Sequence, residues 1–262
     1  MHTLFWSLGV CAILHGALGP ALGATVCSKK SPAHGVALLE LYTSEGCDSC
    51  PPADRFVSGL RAAGVAPEQA VLLSLHVDYW NDIGWKDPFS QALFSTRQRW
   101  LSELAARRTI YTPEIFIAGQ ELRGGVQGWS ASVPAAVKRV NDRPARADIS
   151  IALGRAGAAG LPVEVSASAM QGGKLYIALF ENGLSSAVTA GENRGHVLRH
   201  DFVVREWLAP LSLSADGAKL SATVRRALPL APGVSPGNLG LAAFVQSDQG
   251  EILQALALPA CE

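Results

Sequence analysis

The sequence carries no excess of charge of either sign. Twenty-two Lys and Arg face 22 Asp and Glu, so the formal net charge is zero. Charged residues make up 17% of the chain and never form a long run. That excludes the basic field that would attract nucleic acid, and it excludes an acidic or basic tail. No internal repeat, low-complexity tract, phosphate loop, Ser/His/Asp triad or carboxylate pair stands out, and neither a cofactor nor a metal is expected. Beyond residue 24 no stretch is long and apolar enough to span a bilayer. What the chain has in quantity is apolar material, 48% of its residues, which is ample for a packed core and rules out a disordered chain.

Charge is missing altogether from Leu4 to Gly23, a run of apolar and small residues. With Ala21-Leu22-Gly23-Ala24 as small residues for cleavage, residues 1–24 are expected to be a secretory signal peptide. Met1-His2-Thr3 lacks the usual Lys or Arg, and the alternative is an uncleaved membrane anchor. Gly19-Pro20 favours cleavage. Val26 before Cys27 argues against a lipoprotein.

Cysteine is scarce: five residues in 262. Cys11 lies in the presumed signal, which leaves Cys27, Cys47, Cys50 and Cys261. In an oxidising compartment an even count suggests two disulfides. Of the three connectivities, Cys47–Cys50 with Cys27–Cys261 is favoured, the second stapling the two chain ends. The alternative leaves Cys27 and Cys261 as free thiols near frayed termini.

Hydrophobic patterning predicts a strand over 35–43, a helix over 53–63, a strand over 71–77 and a helix over about 90–108. Strands follow at 114–117 and 121–123, then a helix over 129–140. The order is β-α-β-α-β-β-α. Past Asp142-Arg143-Pro144 the pattern changes to alternating segments separated by Gly, Pro and Ser. Seven such segments, from Ile149 to Leu258, predict a β-sandwich. The expectation is an α/β domain over 34–142 and an all-β, sandwich-like domain over 146–262.

The strongest chemical signal is Cys47-Asp48-Ser49-Cys50, placed after a strand and at a helix start. No second pair at ligand spacing makes it a zinc site, and Pro51 in place of His excludes haem attachment. At a helix N-terminus the first sulfur faces unsatisfied N–H groups and the positive end of the helix dipole, which favours thiolate. Cys47 is therefore the expected nucleophile and Cys50 the resolving thiol. Asp48 works against the thiolate.

The element order with CxxC after the first strand resembles the thioredoxin fold. That resemblance implies a cis-proline at Thr112-Pro113, facing the CxxC and shaping a substrate site. Longer stretches are more specific. Glu40 to Asp54, His76-Val77-Asp78-Tyr79-Trp80, Gly84 to Phe89, Tyr111-Thr112-Pro113 and Gly191 to Gly195 are similar to a bacterial family of secreted thioredoxin-like proteins. That family is catalogued as a domain of unknown function, number 1223. The resemblance covers nearly the whole mature chain. It implies an α/β thioredoxin-like domain and an exported, periplasmic or secreted location. It supplies no substrate.

Other residues have two readings each. His76 and Asp78 end a strand and either relay protons to the cysteines or anchor the following loop. Thiolates plus the His76 imidazole would suit copper or zinc. Tyr79, Trp80, Trp85 and Phe89 either line a groove, with Thr112, Trp80 and Trp85 touching substrate, or pack the loop down. Ser44, Glu45 and Asp54 flank the CxxC turn. Glu192, Asn193, Arg194, His196, His200 and Asp201 form a polar cluster read as a loop and strand edge facing the first domain. The expected function is thiol–disulfide exchange on a protein or small-thiol partner. The alternatives are a binding module with a structural Cys47–Cys50 bridge, or a copper- or zinc-handling protein.

Overall fold

The computed structural model describes residues 25–231 and 234–261. The expected signal segment, 1–24, lies outside them. Among the described residues no helix is long and apolar enough to cross a membrane.

The strands are β1 (Thr25–Lys30), β2 (Ala37–Thr43), β3 (Ala70–His76), β4 (Glu114–Ile117), β5 (Gln120–Glu121), β6 (Ala147–Gly154), β7 (Leu161–Ala169) and β8 (Lys174–Glu181). The later ones are β9 (Leu184–Ala187), β10 (Val197–His200), β11 (Val203–Trp207), β12 (Leu211–Ser212), β13 (Ser214–Asp216), β14 (Lys219–Leu228), β15 (Leu239–Gln246) and β16 (Ile252–Pro259). Three α-helices are α1 (Pro51–Gly59), α2 (Ala92–Leu104) and α3 (Gly125–Asn141). β2 and β3 are buried along their full length, as continuous apolar runs in a central parallel pair should be. Pro51 and Pro52 fill the first positions of α1, where a missing N–H costs nothing.

The expected fold class is overturned. The chain is mostly β, and it does not form an α/β thioredoxin-like domain followed by a β-sandwich. One large sheet runs β16-β15-β8-β11-β3-β2-β4-β5, with β12 added on β8. Strands from both halves of the sequence are thus hydrogen-bonded into one sheet, and the junction is the parallel pair β11–β3, with Val203 opposite Ser74. A second sheet has the order β1-β6-β7-β14-β13 and takes its edge strand from the N-terminal end. Periodicity gives each strand its buried face but says nothing about its neighbour, so the later strands were free to join β3 rather than close on themselves.

Side-chain alternation sorts the core into layers. On one face of the large sheet, Leu38, Tyr42, Leu73, Phe116, Ala178 and Phe244 pack against Phe94 and Leu101 of α2. The other face is shared. α1 and α3 cover its β2–β4 part through Val57, Trp129 and Val133. The five-stranded sheet covers its β8, β15 and β16 part through residues such as Ile151, Val165, Ile177 and Leu241. Cys27 and Cys261 are disulfide-bonded, joining β1 to the end of β16.

Candidate functional site

Cys47 and Cys50 lie on the turn between β2 and α1 and form a disulfide. Cys50 is the N-cap of α1, and its carbonyl receives the N–H groups of Ala53 and Asp54. The Cys47 Sγ lies 3.3 Å from the Ser49 hydroxyl. Both cysteines are fully buried, whereas Asp48 and Ser49 are exposed. The Thr112–Pro113 peptide is cis. Trp80 links the two features: its Nε1 donates to Thr112 Oγ1 at 2.8 Å, and its own backbone lies against Gly46. A Cβ on Gly46 would come within 3.1 Å of Trp80 Cβ.

Five ionisable side chains are buried together beside this turn: Glu45, Asp54, His76, Asp87 and His200. Asp87 Oδ2 accepts from the Glu45 N–H at 2.8 Å and lies 2.7 Å from His76 Nδ1. Glu45 is held at both oxygens, 2.8 Å from Trp85 Nε1 and 3.0 Å from His200 Nε2. His200 Nδ1 faces Asp54 Oδ2 at 3.7 Å. The two imidazoles and the Phe89 ring pack edge to face. Of the buried side-chain polar atoms without a hydrogen-bond partner among the described residues, four lie in and around this cluster: Thr43 Oγ1, Asp54 Oδ1, His76 Nε2 and His200 Nδ1.

The electrostatics follow from burial and pairing. Burial drives the Asp54 carboxyl upward, and the nearby His200 and His76 only partly offset it. Burial also opposes a charged His76, but Asp87 outweighs it and the imidazole ends up raised. Asp87 is lowered, because His76 and the N–H groups of Glu45 and Phe89 together overcome its desolvation. The shifts favour the charged forms of His76 and Asp87 and disfavour the ionised form of Asp54 beside them.

Asn193 and Glu192 come from the loop joining β9 to β10. The Asn193 amide donates to the carbonyls of Glu45 and Cys47, at 2.8 and 2.9 Å. Glu192 Oε2 accepts the Asp48 N–H at 3.0 Å. Of the second half's polar cluster, Glu192 and Asn193 therefore sit on the CxxC turn and His200 reaches Glu45 beside it, whereas Arg194 and His196 are exposed and Asp201 binds Gly183.

One protein-family model, described as a protein of unknown function (DUF1223), matches residues 38–246. The chain belongs to this family. The X-ray crystal structure of a protein from Agrobacterium tumefaciens, a Northeast Structural Genomics Consortium target, is similar at 24% identity and a TM-score of 0.60. It covers 87% of this chain and 96% of that one. HBP35 of Porphyromonas gingivalis is similar at 14% identity and a TM-score of 0.64, covering 88% of this chain and 76% of that one. At these identities the likeness concerns the fold. No curated protein matches the chain.

Within this DUF1223 chain the sequence-predicted residues divide. Cys47, Cys50, His76 and Trp85 belong to one connected site, and Thr112 and Pro113 join it through Trp80. Asp78 does not. Its carboxylate accepts from Ser95 Oγ at 2.5 Å, anchoring the start of α2. Among the described residues no three His, Cys, Asp or Glu side chains are arranged to hold a metal ion. The sequence pattern gives Asp87 and His200 no chemical role, and gives Glu45 and Asp54 only a flanking one. One signal was readable: charged residues are rarely buried unless paired, and Asp87 sits in an aromatic segment between Trp85 and Phe89.

Proposed function

We propose that the protein is an exported thiol–disulfide oxidoreductase using Cys47 and Cys50. The observation that carries this reading is the buried acid–base cluster beside the disulfide. A bridge that only cross-links needs no ionisable neighbours, and burying five of them is costly. Strongly shifted groups held against a specific partner concentrate at functional sites.

In the exchange, a substrate thiolate attacks Cys47 Sγ. A Cys47–substrate disulfide forms, the Cys47–Cys50 bond breaks, and its electron pair leaves on Cys50, which takes up a proton. A second substrate thiolate then displaces Cys47, so the substrate is oxidised and the pair reduced. Run in reverse, the Cys47 thiolate attacks a substrate disulfide and Cys50 resolves the adduct. The cis Thr112–Pro113 peptide and Trp80, which lies against Gly46, would flank a substrate held at Cys47.

One observation favours a second reading, a binding module with a structural bridge: Cys47 is fully buried. Reactive cysteines are at least partly accessible. Equilibrating the mature protein with glutathione buffers and trapping free thiols separates the two. A potential between about −120 and −270 mV supports exchange. A value below roughly −300 mV identifies a structural bridge and removes the enzyme reading.

A further inference from the structure

The β9–β10 hairpin stands apart from both large sheets. Its strands pair only with each other, Val197 opposite Ala187 and His200 opposite Leu184. Its base is clamped twice: the Gly183 N–H donates to Asp201 Oδ1, and the Phe202 N–H to Asn182 Oδ1, each at 2.9 Å. Its tip is a self-contained loop. Val188 and Gly195 exchange bonds with His196 and Val188, and Gly191 and Gly195 both take left-handed backbone angles. The hairpin keeps its own hydrogen bonds at base and tip, and it is tied to the first half of the chain by His200 on Glu45 and by the loop at its tip.

The seam beneath it is poorly sealed. A cavity of about 150 Å³ lies between α1 and β10, lined by Pro51, Asp54, Arg55, Leu198 and His200 among others. The unpartnered Asp54 Oδ1 and His200 Nδ1 belong to the same seam. Well-packed interiors leave few voids and few buried polar atoms unpaired. The tip is held to the CxxC turn by polar pins: Asn193 on two carbonyls and Glu192 on one N–H.

Those pins have a chemical pattern. The Glu45 and Cys47 carbonyls and the Asp48 N–H are main-chain groups, and they receive two amide N–H bonds and give one to a carboxylate oxygen. A polypeptide backbone offers amide N–H donors and carbonyl acceptors of the same kind. Glutathione has one α-peptide bond and one γ-glutamyl amide, so it presents no continuous α-peptide backbone to the turn.

We propose that the Gly191–Gly195 loop is an autoinhibitory stand-in for substrate, and that the disulfide reacts with a cysteine-bearing polypeptide that displaces Asn193 and Glu192. The assignment of substrate rests on the exchange reading above; the covering role of the loop does not.

The test is the rate at which Cys47–Cys50 is reduced by glutathione and by an extended cysteine-containing peptide at equal thiolate concentration, followed by trapping with a maleimide. In the wild-type protein the peptide should react faster. Asn193→Ala removes two hydrogen bonds and should speed reduction by glutathione about 30-fold, narrowing the gap. Glu192→Ala, at an exposed position that should leave folding intact, should speed it about 5-fold. The equilibrium mid-point should stay unchanged in both, because a cover alters both directions alike. Wild-type rates in both variants overturn the cover, and so does a mid-point that moves with the rate. Equal wild-type rates for glutathione and peptide overturn the polypeptide assignment. A structural mid-point with accelerated variants retires the exchange reading while the cover stands.

Discussion

Replacing Cys27 and Cys261 together with serine should cost the protein a large share of its thermal stability. The bridge closes a loop with a sequence separation of 234 residues. In the chain-entropy model a loop of that length removes about 18 cal/mol/K from the unfolded ensemble, or about 5.5 kcal/mol at 25 °C. The folded state should change little, because β1 is also held by its ladder to β6, from Thr25 opposite Gly154 to Lys30 opposite Ser150. For a chain of this size each kcal/mol moves Tm by about 2–4 °C, so the expected fall is about 10–20 °C. Differential scanning calorimetry under non-reducing conditions reads it directly. The double serine variant isolates the bridge, since neither partner thiol remains to mispair. A fall below about 4 °C would refute the entropic reasoning and mean that the unfolded chain is already compact enough to hold its ends together.

Two other changes probe buried charge. Arg97 is buried against Glu40, with its guanidinium among the rings of Trp100, Tyr176, Trp207 and Phe244. Arg97→Met should destabilise by about 3–5 kcal/mol in urea unfolding because Glu40 is left alone in the core, and adding Glu40→Leu should recover most of it. A loss under about 1 kcal/mol would contradict this. Glu114, next to the cis proline, is pushed up to about 7 by burial, against the pull of its Gln98 hydrogen bond. The folded state therefore holds a proton that the unfolded chain releases from its ordinary value of 4.5, and stability should fall as pH rises between 4.5 and 7. Glu114→Gln should flatten that part of the Tm profile; an unchanged slope would assign the pH dependence elsewhere.

Local signals were legible and long-range ones were not. The strand–CxxC–helix unit, the proline before β4 and the four-cysteine arithmetic all depend on neighbours in sequence or on counting, and each can be read from composition and spacing. Seven of the later strand segments were recognised, although His196–Leu208 is two strands, β10 and β11, turned at Asp201-Phe202, where Phe202 takes a positive φ of 59°. β9, with its small, exposed Ser185 and half-buried Ser186, carries no strand signal. Sheet membership was invisible, because Val203 shows no preference for β3 until the fold brings Ser74 beside it. The site suffered most from this. Glu45 and His200 are 155 positions apart, and only the tertiary structure makes them partners.

The large sheet also sets an order of events in folding. β2 and β3 leave the ribosome early, yet the open side of β3 finds its partner only when β11 arrives. β8, between β11 and β15, likewise waits for the last strands. Until then the newborn chain presents an unpaired, largely apolar strand edge, the kind of surface on which chains stick to one another. Such late, non-local pairing makes for slow folding. A helper that shields the β3 edge while the chain folds would therefore raise the yield of this protein.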